Sequence, residues 1–277
     1  MRVLVVTAVP AERDAVVRGV RAAAAESADT PAAAEVSVPG GRTLHRVVRP
    51  PLTMDALAAG VGPAAAAAAT ATALTAAELG TAEPGTAELD AAGPGTARPG
   101  TARRDAARLD AAPYGLVVSA GIGGGFTPAP LGTVVVAEAI VAADLGAETP
   151  DGFAAVTDLG FGTVEHLPPP ALVRAVAEAA GAVRGAVLTV STVTGSAGRA
   201  TELLRRHPRA AAEAMEGFGV AEAAAAHGMP VLEVRAISNT VGPRDRAAWR
   251  IGEALDALAG AFRDLPPALA TWKGPST

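Results

Sequence analysis

Residues 231–242 read VLEVRAISNTVG, and this stretch organises the rest of the chain. From Val231 to Ile237 it is mostly apolar and β-favouring, the pattern of a buried strand. Two small polar residues, Ser238 and Asn239, then end the strand before a turn. A core strand that delivers an amide at its carboxyl end raises a question about ligands, because open α/β sheets bind them there.

Outward from that strand, the chain alternates. Arg2–Val9 is a second buried strand, and Pro10 suits the first turn of the helix that follows. β-Rich runs are expected over Leu44–Val48, Leu52–Gly60, Gly115–Ala120, Leu131–Val141 and Ala186–Thr192, with a glycine-rich turn in SAGIGGGF (119–126). Helices are expected after Gly62-Pro63, over Ala171–Ala180, Gly198–His207 and Glu216–Ala226, and finally over Arg246–Phe262. Asp144–Gly162 reads as loop. Strands alternating with helices predict an α/β fold, a single domain over 1–277 with a mixed, mostly parallel central sheet flanked by helices on both faces. One stretch departs from the pattern. From Thr75 to Pro113 the unit PGTA recurs without hydrophobic period, and the expectation is a flexible low-complexity insertion in a surface connection.

Composition narrows the chemistry. The chain has 277 residues, 50% of them hydrophobic, a net charge of −5 and no cysteine. A nucleic-acid backbone is an unsuitable partner for such a balance. Without cysteine there is no disulfide, thiolate nucleophile or Cys-based metal site. The four histidines form no metal-binding pair, and no metal site is expected. The N-terminus meets acidic residues at once and the alanine runs are interrupted, so neither a secretory signal nor a membrane span is expected. The expectation is a cytoplasmic protein with no membrane partner.

Three polar side chains close apolar segments: Glu12 after the first strand, Glu216 before a helix, and Asn239. Parallel strands would bring all three to one rim, where two carboxylates and an amide suit the activation of water and the binding of hydroxyls and a polar heterocycle. Each alone has a plain structural explanation: the carboxylates complement helix N-termini and the amide forms a turn. Together, beside glycine turns, they read as a site. Gly121–Gly125 either permits close approach of a ligand or makes a tight turn with no ligand; a dinucleotide loop fits less well, because that fingerprint belongs in the first βα unit with an acidic residue about 20 positions on. Arg244 and Arg246 either start a solvated helix or capture an anionic group.

AMEGFGVAEA with VRAISNTVG, together with VVTAVPAER, AGVGPAAAA and SAGIGGGF, resembles the purine nucleoside phosphorylase/nucleosidase superfamily over nearly the whole chain outside Thr75–Pro113. Through SNTVGPRDRAAW, DLGAETPDGF and LGFG it is most similar to the futalosine-cleaving hydrolases within that superfamily. The resemblance implies a nucleoside phosphorylase-like fold and cleavage of futalosine to hypoxanthine and dehypoxanthinyl futalosine on a route to menaquinone. Glu12 takes the position of the carboxylate that activates water. Glu216 takes that of the glutamate on the ribose hydroxyls, with Met215 against the sugar. Gly62 lies in the AGVGPAAAA turn, Gly123 and Gly124 near ribose and base, and Val193-Thr194 beside the base. Asn239 stands where relatives acting on adenine nucleosides carry Asp; an amide suits a 6-oxopurine. Arg244 or Arg246 would meet the benzoate carboxylate. The partner is then a small purine nucleoside, no cofactor is needed, and a homo-oligomer is expected. Alternatives are hydrolysis or phosphorolysis of inosine or methylthioadenosine, and a non-catalytic nucleoside-binding protein on the same fold.

Overall fold

The computed structural model describes residues 1–23, 32–80, 113–127, 129–272 and 274. Its first unit is β1 (Arg2–Thr7) followed by α1 (Pro10–Ala22). In β1 every residue is buried, with Val3 and Val5 facing one core and Leu4 and Val6 the other. A strand apolar on both faces has to be sandwiched, which is why the alternation rule for half-exposed strands does not apply to it.

After α1 come β2 (Ala32–Val38), β3 (Arg42–Arg49), β4 (Leu52–Ala58) and α2 (Pro63–Glu78). The following elements are β5 (Leu116–Gly125), β6 (Val134–Ala142), β7 (Gly146–Thr149), β8 (Gly152–Ala155), β9 (Glu165–His166) and α3 (Pro170–Ala180). The chain continues through β10 (Val183–Thr189), α4 (Ala197–Arg206), β11 (Ala210–Ala214), α5 (Gly217–Ala226) and β12 (Val231–Thr240). A 3₁₀ turn at Arg246–Ala248 precedes α6 (Ile251–Asp264) and α7 (Pro266–Thr271).

The main sheet has the order β11-β10-β6-β12-β5-β1-β4-β3-β2. β4, β1, β5 and β12 run parallel, as do β6, β10 and β11, with one antiparallel junction between β12 and β6. The fold is therefore α/β with a mixed, mostly parallel sheet, as the alternation of elements predicts. β11 also pairs antiparallel with β5, so the sheet curls back on itself around β5, β12, β6, β10 and β11. That closure brings together strand ends that an open sheet would keep four strands apart.

Helices cover both faces. α1, α3, α6 and α7 pack on one side, α2 and α5 on the other. Low aromatic content is compensated by close approach. Gly19 of α1 lies so near α6 that an added Cβ would sit 2.2 Å from the Ala259 carbonyl oxygen. Gly219 of α5 stands in the same relation to Pro63 of α2. Small residues at crossings let alanine-rich helices reach dispersion contact.

Several local expectations change. The glycines of SAGIGGGF do not form a turn; Gly121–Gly125 continue β5, because β12 and β11 supply ladder partners on both sides. Asp144–Gly162 contains the β7–β8 hairpin. The last long helix begins at Ile251 rather than Arg246, after the separate 3₁₀ turn. β2 and β11 escape a reading by periodicity because both are alanine-rich. The boundary at Thr75 also moves: α2 runs to Glu78 with Leu79 at its C-cap. Residues 81–112 of the low-complexity stretch lie outside the described residues. Among the described residues no helix is long and apolar enough to cross a membrane.

Candidate active site

At the carboxyl ends of β1, β5 and β12 a cavity of about 410 Å³ opens. Glu12, Glu216 and Asn239 all line it, together with Gly123, Gly124, Val193, Thr194, Met215 and Arg244. Parallel β1, β5 and β12 point the same way, so residues just past their ends meet at one rim. Gly62 and Arg246 are not in the lining. Gly62 instead donates its backbone N–H to Glu216 Oε1 at 3.2 Å, and Arg246 lies over the ring of Trp249, which itself lines the cavity.

Glu12 belongs to the first turn of α1 and turns back to accept the Ala8 and Val9 amides on Oε2, at 2.9 and 3.2 Å. Its Oε1 accepts the Ile122 amide from β5 at 2.9 Å. The helix-capping role that the sequence suggests is therefore real, and it fixes the carboxylate against the cavity wall. Burial raises the Glu12 pKa above the usual carboxylate value and the Glu216 charge adds to this, while Arg235 and the Ile122 amide oppose the rise. Arg13, next in sequence, turns away and pairs with Asp14.

Arg235 is one residue beside the cavity that sequence reasoning missed. It is fully buried on β12, donating from Nε to Glu233 Oε1 at 2.9 Å, from Nη1 to Glu216 Oε2 at 3.2 Å and from Nη2 to Ser119 Oγ at 3.0 Å. Two charged residues inside the otherwise apolar VLEVRAI carried the signal: a core strand does not hold Glu and Arg at i and i+2 unless they are paired. Gly121 makes room for the arrangement, since a Cβ there would lie 2.6 Å from Glu12 Oε1 and 2.7 Å from Arg235 Nη1. Gly217, at the start of α5, likewise gives way to the Glu233 carboxylate, 2.2 Å from where its Cβ would be. Burial raises the pKa of Glu233 despite its ion pair with Arg235.

At the other end of the cavity, Asn239 follows a bulge at Ser238 that shifts the β12–β5 register between Ile237 and Asn239. Such a bulge re-aims a side chain. The Ser238 hydroxyl lies 2.9 Å from Asn239 Oδ1 and 3.2 Å from the Gly123 carbonyl oxygen. Asn239 Nδ2 donates to the Thr240 carbonyl at 3.2 Å; because that carbonyl only accepts, the amide nitrogen is fixed on its side. Glu213, a third carboxylate in the lining, accepts Thr194 N–H on Oε1 at 2.8 Å and Thr194 Oγ–H on Oε2 at 2.5 Å. At the mouth, Arg244 lies over the Trp249 ring, 5.5 Å from its centroid. Val9, Val61, Leu131 and Val193 leave apolar surface exposed there. Among the described residues no three His, Asp or Glu side chains are grouped to hold a metal ion.

The geometry can be set beside known proteins. The model of the Phosphorylase superfamily matches residues 2–265. The futalosine hydrolase of Streptomyces coelicolor is 60% identical over 274 residues, covering 99% of this chain and 98% of that protein. A futalosine hydrolase of Acidothermus cellulolyticus is 46% identical over 160 residues, 55% of this chain and 64% of that protein. Among solved structures, the native futalosine hydrolase of Helicobacter pylori superposes with a TM-score of 0.68 at 15% identity, over 96% of this chain and 97% of that one. The 5'-methylthioadenosine/S-adenosylhomocysteine nucleosidase of Neisseria meningitidis, in complex with methylthio-immucillin-A, gives 0.66 at 17% identity, over 98% and 99%. At those identities the structural likeness establishes the fold alone; the sequence match over the full length establishes the kinship. By the family match and the full-length sequence match the chain belongs to the Phosphorylase superfamily and, within it, to the futalosine hydrolases.

Proposed function

We propose that this protein hydrolyses the N-glycosidic bond of futalosine and releases hypoxanthine. One observation carries the reading: a chain 60% identical over its full length to a futalosine hydrolase also lines one cavity with Glu12, Glu216 and Asn239. Water, held by Glu12, attacks the anomeric carbon as the bond to the purine nitrogen breaks. Glu12 takes the proton of the attacking water, and the purine leaves with the bonding electron pair. Glu216 meets the ribose hydroxyls and steadies the oxocarbenium-like ribose, with Met215 against the sugar. General-base assistance contributes typically ~10²–10⁴-fold, so leaving-group and ribose stabilisation supply the remainder.

Water is favoured over phosphate as nucleophile by the charge around the site. Arg235 is already engaged by Glu233 and Glu216, and Glu12 faces the same space. A phosphate dianion there would meet carboxylates rather than a free cation. Asn239 meets the purine at its N7/O6 edge, and Val193-Thr194 flanks the base. Arg244 is the candidate partner for the benzoate carboxylate, because it lines the cavity while Arg246 does not. A homo-oligomer acting in the cytoplasm completes the reading. Exposed Val61, Leu159, Phe161 and Leu167 are apolar surface that a second copy would cover.

The test is base release. Purified protein is given futalosine, inosine, adenosine and methylthioadenosine, with and without phosphate, and free purine is quantified. Hypoxanthine from futalosine, independent of phosphate, is the expected outcome. Release from inosine only when phosphate is present would reverse the assignment of nucleophile and remove Glu12 as its base. Binding without release would point to a nucleoside-binding protein.

A further inference from the structure

One carboxylate of the cavity has no part in the chemistry above. Glu213 is almost entirely buried, yet it lines the cavity beside Thr194. Its place in the sheet is specific. Gly124 of β5 is the register partner of Glu213 on β11 and also of Asn239 on β12. Glu213 and Asn239 thus stand on either side of one glycine, each about 4.8 Å away across the sheet. Gly124 supplies no side chain between them; a Cβ there would meet Val241 Cγ2 at 2.8 Å and Asn239 Nδ2 at 3.2 Å. The result is a slot over Gly124 and the Val241 side chain, with an acceptor-only carboxylate on one side and an amide on the other. Along β5, Gly124 is two residues beyond Ile122, whose amide holds Glu12. That is about 7 Å of strand, enough to set a bicyclic base past the point where the attacked carbon lies.

The geometry points to Glu213 as a specificity-determining residue that accepts the N1–H of a 6-oxopurine while Asn239 reads the opposite, O6/N7 edge. This rests on the purine reading of the cavity given above and deepens it. Each Glu213 oxygen uses one acceptor site on Thr194, by N–H and by Oγ–H, and each keeps another. Thr194 therefore orients the carboxylate without saturating it. A 6-oxopurine offers a proton at N1, whereas a 6-aminopurine offers a lone pair there, which a carboxylate repels. Asn239 alone is a weaker discriminator, since an amide carries both a donor and an acceptor and so repels neither base outright. A carboxylate cannot be turned to donate. Burial raises the Glu213 pKa, while the two Thr194 hydrogen bonds and the charge of Arg199 favour the ionised, accepting form and Asp144 opposes it.

The experiment is calorimetric binding of free hypoxanthine, adenine and 1-methylhypoxanthine to the full chain, to E213Q and to T194V, with futalosine turnover measured in parallel. The wild type is expected to bind hypoxanthine ~10–100-fold more tightly than 1-methylhypoxanthine, the range for a site group left unpaired. In E213Q, the preference for hypoxanthine over adenine should fall by a similar factor. T194V removes one of the two hydrogen bonds that orient Glu213 and should lower that preference in the same direction, by less than E213Q. Equal weakening of both bases by E213Q would make Glu213 a support for Thr194 only and overturn the proposal. So would wild-type binding of 1-methylhypoxanthine as tight as that of hypoxanthine, a comparison that holds even if E213Q does not fold. Turnover reports separately: base binding that depends on Glu213 without cleavage of futalosine would overturn the reaction and leave the base-reading assignment standing.

Discussion

Two buried charge clusters lie on either side of β1, and they are built to opposite rules. On the β4 side, Asp55 is fully buried and accepts from Arg2 Nη2 at 2.8 Å, Arg46 Nε at 2.6 Å and the Tyr114 hydroxyl at 2.7 Å. Two guanidinium groups surround one carboxylate. Burial alone would raise the Asp55 pKa, but the Arg46 and Arg2 charges and hydrogen bonds hold it below the ordinary value. On the β5 and β12 side one guanidinium, Arg235, is shared among Glu233, Glu216 and the nearby Glu12. There anions exceed cations, and burial raises the pKa of Glu12 and Glu233. The first cluster is sealed among strands, whereas the second opens on the cavity. A saturated carboxylate holds a fold together. A carboxylate short of cations keeps a proton affinity that chemistry can use.

Breaking each cluster should produce different losses. Glu12→Gln keeps the hydrogen-bond acceptor oxygen but not the base, so futalosine turnover should fall ~10²–10⁴-fold with hypoxanthine binding retained. An unchanged rate in that variant would place Glu12 outside the mechanism. Asp55→Asn leaves two buried guanidinium groups facing a neutral amide and should cost about 3–5 kcal/mol of stability. Denaturant unfolding checks the loss, and turnover measured well below the melting temperature should remain near wild type. A stable Asp55→Asn protein that lost activity would erase the contrast between the clusters.

Asn239→Asp acts on specificity rather than rate. It should shift the ratio of turnover on 6-oxo and 6-amino nucleosides toward the amino base by ~10–100-fold, read from initial rates on paired substrates. An intact 6-oxo preference would mean that the amide does not face the base. The smallest effect is a separation in pH. If Glu12 is the base proposed above, it acts only when ionised, and turnover should decline by about tenfold per pH unit once pH falls below its raised pKa. Asp55 has a depressed folded pKa; its stabilisation is complete above the unfolded carboxylate pKa and fades only as pH falls through the lower folded value. On acidification, activity should therefore go before the fold does. Parallel titrations of turnover and circular dichroism test this, and coincident loss would show that the two clusters do not titrate apart.

The legibility of these clusters in sequence differs for a physical reason. β1 and β12 are apolar runs bounded by polar residues, and the burial of such strands on both faces follows from local composition. Glu12, Glu216 and Asn239 were legible because each stands at the end of an apolar segment, where direction of travel suffices to place it. Arg235 and Glu213 were not placed, because each lies within a strand and its partner comes from another element: Glu216 in one case, Thr194 in the other. Asp55 is similar, with partners 53 residues before it and 59 after it in Arg2 and Tyr114.

By itself, then, the sequence determined the alternation of buried strands and helices, the strand ends that carry polar groups and the kinship expressed in AMEGFGVAEA and VRAISNTVG. These depend on near neighbours and on residue type. Tertiary structure decided the curl that brings β11 onto β5, the bulge that aims Asn239, and the register that sets Glu213 and Asn239 across Gly124. It decided also that a run of glycines is strand and not turn. Hydrogen bonds between strands distant in sequence fix all of these, and such pairings leave no period in the chain that could announce them.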